Sequence, residues 1–146
     1  MVRKTMTVAA TLVGALAFGV AAAAPAAAAD KWQHGTKISD PNVPYWRCVG
    51  DSYVDVCFVP DGDRIYVHDA KADGASAVAD WRNYKKWNDP GVYRTGQCVN
   101  SNGAGTWVVC NKNFYEDGSV VLNARTYDFG SSKWKHDGPY ESYSTS

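Results

Sequence analysis

The chain has 146 residues and no formal net charge at neutral pH, but these totals combine two unlike parts. Arg3 and Lys4, an apolar stretch over residues 6–20 and an alanine run ending Ala27-Ala28-Ala29 have the form of a secretory signal peptide cleaved before Asp30. Residues 30–146 number 117 and carry 13 basic against 15 acidic side chains, which suits one domain and argues against a nucleic acid or other polyanion as partner.

Beyond the leader no apolar run approaches the roughly 18 residues that a spanning helix needs. The expected product is secreted and extracellular, with no membrane attachment after cleavage. Its composition is lopsided: 13 valines, six tryptophans and nine tyrosines stand against one leucine, two glutamates and no methionine. Good helix formers are nearly absent, while β-branched and aromatic residues fill pleated surfaces well. The expected fold class is all-β. Thirteen aspartates fit the same reading, because Asp bonds to nearby backbone N–H groups in turns.

In chain order, residues 30–47 hold two prolines, one glycine and no sustained alternation, and read as an extended N-terminal arm ahead of a disulfide-stapled β domain over 48–146. Strands are expected around Cys48 and over 53–59, 64–68, 76–81, 92–98, 106–110, 119–127 and 133–135. Asp- and Gly-rich breaks separate them, such as Pro60-Asp61-Gly62, Asp117-Gly118 and Asp137-Gly138-Pro139. About eight short strands predict a small β-sandwich or barrel. In RIYVH, Ile65 and Val67 face one way and Tyr66 and His68 the other. The segment GASAVADWRNYKKW is read as a strand to Trp81 followed by a turn.

Cys48, Cys57, Cys98 and Cys110 enter an oxidising compartment, so two disulfides are expected. Cys-Val opens and Val-Cys closes both CVGDSYVDVC and CVNSNGAGTWVVC, with turn residues between. This favours Cys48 with Cys57 and Cys98 with Cys110, each stapling a hairpin. A turn and a strand follow each unit, which admits an internal duplication.

Three groups of residues carry a resemblance. Asp69-x3-Asp73-Gly74-x-Ser76-Ala77-Val78, Arg94-x-Gly96-x-Cys98-x-Asn100 and Gly105-x-Trp107-x-x-Cys110 resemble small secreted two-disulfide proteins of actinobacteria, which implies a fold and no particular chemistry. In size, secretion and β character the chain also resembles the adaptor subunit of secreted umbrella toxin particles of streptomycetes. That resemblance implies a secreted protein as partner.

Catalytic groups are few. With every cysteine paired no thiol remains, there is no G-x-S-x-G element, and His68 beside Asp69 faces away from it, as strand neighbours do. His34 lies in the arm and His136 in a Lys-His-Asp-Gly turn. No enzymatic activity is expected. Asp61, Asp63, Asp69 and Asp73 lie close in sequence, but neither stretch matches a calcium loop and the histidines offer no zinc pair. No metal or cofactor is expected.

Recognition has better candidates. Trp81, Arg82, Tyr84 and Trp87, with Lys85 and Lys86, place aromatic and cationic side chains within seven residues, the usual composition of binding anchors. The stretch resembles the Trp-Arg-Tyr loop of streptomycete α-amylase inhibitors, although Asn83 interrupts the triplet and the cysteine spacing differs. In the arm, Trp32 and His34 form a second candidate, while Tyr45 and Trp46 are read as the start of the first strand. An arm of this kind can add as a strand to a partner's sheet. The expected function is a secreted, non-enzymatic protein-binding module, an adaptor in a secreted complex. An inhibitor of an extracellular hydrolase and a glycan-binding module are the alternatives.

Overall fold

The structure, a computed structural model, describes residues 29–146; of the expected leader, residues 1–28 lie outside the described residues and Ala29 begins the first strand. Ten strands form: β1 Ala29–His34, β2 Thr36–Ile38, β3 Cys48–Gly50, β4 Val54–Val59, β5 Arg64–Asp69, β6 Ser76–Tyr84, β7 Val92–Asn100, β8 Trp107–Asn111, β9 Ser119–Asp128 and β10 Lys133–Ser144. They make two five-stranded sheets, one ordered β1-β7-β6-β9-β10 and the other β2-β8-β5-β4-β3. Alternation sends Val54, Val56, Phe58, Ile65 and Val67 of the second sheet against Ala77, Ala79, Trp81, Leu122 and Ala124 of the first, and this shared layer is the core of a β-sandwich.

All eight expected strands are present, and two more come from the arm. β1 pairs in parallel with β7, and β2 pairs antiparallel with β8. The arm therefore does not hang free; it adds an edge strand to each of the protein's own sheets. β10 runs to Ser144 rather than ending near residue 135, because its Pro139 sits at a register irregularity of an edge strand, where a missing N–H costs no ladder bond.

Both disulfides pair as expected, Cys48 with Cys57 and Cys98 with Cys110. Only the first staples a hairpin, with Cys48 opposite Cys57 on β3 and β4. The second joins β7 of one sheet to β8 of the other. Buried Asn100 directs that crossing: its Nδ2 donates to the Val67 and Thr106 carbonyls, while its Oδ1 accepts the Asn102 N–H and the Thr106 hydroxyl. Since β3, β4 and β5 are a meander in one sheet whereas β7, β8 and β9 alternate between sheets, the two cysteine units are not structural repeats.

Candidate interaction surface

In the stretch from Trp81 to Trp87 the strand continues three residues past Trp81, so the period of two divides what the sequence presents as one cluster. Trp81 and Asn83 point inward and are fully buried. Trp81 packs edge-on against Phe114 with ring centroids 5.1 Å apart, and Asn83 donates to the Ser119 carbonyl and accepts the Tyr115 N–H. Trp81 is thus a core residue and cannot meet a partner, contrary to the sequence expectation. Arg82 and Tyr84 point to the outer face, and after Tyr84 the turn closed by the Asp89 N–H to the Lys86 carbonyl carries Trp87, 55% exposed.

That outer face has a groove. Arg82, Tyr84, Val121, Asn123, Asp137 and Tyr140 line a cavity of about 580 Å³, and Tyr84 and Val121 are shared with an adjoining one of about 300 Å³ under Trp87 and Asn88. Tyr140 forms the far wall at 71% exposure. Arg82 makes no hydrogen bond or ion pair among the described residues. Asp137, by contrast, is engaged: its Oδ1 accepts from Asn123 Nδ2 at 3.0 Å and lies 3.0 Å from Arg125 Nε. Arg125 also pairs with Asp80 and stacks on Trp134. On the other side of the turn, Lys85 Nζ lies 4.8 Å from the Tyr93 ring centroid and 5.7 Å from that of Tyr115, beside a second open cleft. Lys86 lines the same cleft.

The remaining half of this sheet face is sealed by the arm. Trp32 sits at a register shift of β1 with φ of 57° and packs on Tyr127, Phe129 and Trp134 at centroid distances of 4.5, 5.2 and 5.6 Å. Val78 and Val99 share this outer face, by alternation with Ala77, Ala79 and Cys98, yet both are fully buried. Trp32 is therefore a covering residue of a second apolar cluster. His34 is exposed, 5.7 Å from the Phe129 ring and 3.4 Å from the Ser101 hydroxyl. Tyr45 and Trp46 lie in a 3-10 turn ahead of β3 rather than in it, 87% and 59% exposed.

No protein family, curated protein or solved structure matches this chain.

The titratable groups serve the fold. Asp40, Asp51, Asp73, Asp89 and Asp128 each accept the backbone N–H two residues on, the turn role the composition suggests. Asp63 accepts the Phe114 N–H, and Asp61 pairs with Arg64. Burial pushes the Asp69 carboxyl above its ordinary value despite the Lys71 N–H. His68 faces Asp55, at 3.1 Å, and stacks on Trp107 rather than meeting Asp69. His136 Nε2 lies 2.6 Å from Asp51 Oδ2, a pairing between residues 85 positions apart that no local pattern announces. Among the described residues no group of three or more His, Cys, Asp or Glu is placed to hold a metal ion.

Proposed function

We propose that the protein is a secreted, non-enzymatic protein-binding module that recognises its partner through the open half of the first sheet's outer face. One observation carries the reading. Trp87 and Tyr140 stand 55% and 71% exposed on opposite sides of a groove floored by Tyr84 and Val121, on a face whose other half the chain covers with its own aromatics. Exposed Trp and Tyr around an unpaired Arg are the composition of interface hot spots. Of the polar side chains in the groove, Asp137 and Asn123 already bond to each other, which leaves Arg82 and the aromatic rims as the recognition groups and favours a protein as the occupant.

Two disulfides, and no helix among the described residues long and apolar enough to cross a membrane, support an extracellular role. An adaptor subunit of a secreted complex, including a toxin particle, is the form of the module that fits the expected signal peptide. The test is affinity capture from the medium of the producing cells with the parent and with Trp87→Ala/Tyr140→Ala. The parent should retain a secreted protein that the double variant loses. A retained hydrolase that is inhibited in stoichiometric amounts would make the module an inhibitor. Retention of polysaccharide alone, or turnover of a substrate by the purified protein, would overturn the reading.

A further inference from the structure

β10 follows β9 with two register shifts, one between Trp134 and His136 and one between Asp137 and Tyr140. Such irregularities re-aim the side chains beside them. Here His136 reaches from the first sheet to the β3–β4 turn of the second. Its Nε2 is 2.6 Å from Asp51 Oδ2, and its ring stacks on Tyr53 with centroids 4.1 Å apart and planes 14° from parallel. Asp51 is fixed in turn, since its Oδ1 accepts the Tyr53 N–H at 2.8 Å. Gly138 leaves the room: a Cβ there would fall 2.9 Å from Asp51 Oδ2, 3.1 Å from His136 Nε2 and 2.7 Å from the Ala124 carbonyl. The residues directly after His136, namely Asp137, Gly138 and Tyr140, form a wall of the groove.

We infer that the His136–Asp51 contact is a proton-operated latch that sets the position of this wall, so that the face recognises its partner more tightly in mildly acidic than in mildly alkaline medium. The inference rests on the groove being the recognition face. Protonated His136 donates to a carboxylate in a charge-assisted bond; the neutral ring donates only in its Nε2–H tautomer and without charge. The other charges around it are Lys71, whose Nζ lies 3.5 Å from the Tyr53 ring centroid, Lys135 paired with Asp128, and Asp137 paired with Arg125. Lys71 opposes the added positive charge, while the carboxylate in direct contact favours it. Burial alone would raise the Asp51 carboxyl, but the His136 hydrogen bond and the Tyr53 N–H outweigh it and hold it below its ordinary value. Asp51 thus remains a carboxylate throughout the range in which histidines gain their proton.

The test uses the free protein and needs no partner. Amide exchange of β10, corrected for the intrinsic effect of pH, and the ring resonances of Tyr140 and Trp87 are compared at about pH 5.5 and about pH 8. The latch predicts protection of β10 about two- to fivefold greater in acid, with the Tyr140 resonances shifting between the two pH values. His136→Gln, which keeps a donor that does not titrate, should fold and lose both responses. Equal protection at the two pH values, or the same response in His136→Gln, would overturn the latch. A normal pH response in a protein whose partner ignores Trp87 and Tyr140 would leave the latch standing and remove the proposed face.

Discussion

Cys98 and Cys110 are bonded across the sandwich, from β7 in one sheet to β8 in the other, whereas Cys48 and Cys57 join adjacent strands of one sheet. The loops they close are similar, 9 and 12 residues, so chain entropy gives each about 2–3 kcal/mol. Their surroundings differ, because Cys98 and Cys110 are both fully buried in the layer between the sheets and Cys48 is only half-buried. Replacing Cys98 and Cys110 together by Ala should lower the denaturant midpoint more than replacing Cys48 and Cys57. Equal losses would mean that the second bond adds nothing beyond loop closure.

The tryptophans should separate by thermal melting. Trp81→Ala removes a fully buried ring and should cost about 3–5 kcal/mol. Trp32→Ala removes the ring packed on Tyr127, Phe129 and Trp134 and should cost about 1–3 kcal/mol. Trp87→Ala and Tyr140→Ala should stay within about 0.5 kcal/mol of the parent. A large loss at Trp87 would place it in the core and remove it from the proposed face.

Acid should act through Asp51. A carboxyl held below its ordinary value in the folded protein contributes stability that is present above the unfolded value and is lost as pH falls through the folded one. The parent should therefore lose more stability than Asp51→Asn between about pH 5 and pH 3. Parallel pH profiles for the two proteins would contradict the assignment.

At the alkaline end, burial first and the charge of Glu141 second push the Tyr143 phenol up to about 12. Its folded value lies above the unfolded one, so stability is lost as pH rises from the ordinary tyrosine range toward that value. Tyr143→Phe should remove the last-titrating tyrosine from the ultraviolet titration and flatten the alkaline loss.

Much of the architecture was legible locally. Matched Cys-Val and Val-Cys brackets gave both disulfide pairs, and alternation such as that of Ile65 and Val67 gave the strands. What was not legible depends on distant partners. Trp32 looked like a free anchor because Tyr127, Phe129 and Trp134 come from β9, the turn after it and β10; the run Ala77-Val78-Ala79, apolar on both faces of β6, was the one local sign that something covers the outer side. Asn83 looked like an interruption of an aromatic loop, when strand alternation makes it an inward clamp between Arg82 and Tyr84. Tyr140 carries no local sign of its place, because Asp137-Gly138-Pro139 reads as the end of a strand that in fact passes through it.

The most direct measurement is oxidative footprinting of the protein alone and in complex with the partner it retains, read at individual side chains. Tyr84, Trp87 and Tyr140 should lose most of their reactivity in the complex, while Trp46 keeps its own and Trp32 stays as slow as in the free protein. Protection of Trp46 or Tyr45 with Trp87 and Tyr140 unchanged would contradict the account and move recognition to the 3-10 turn before β3.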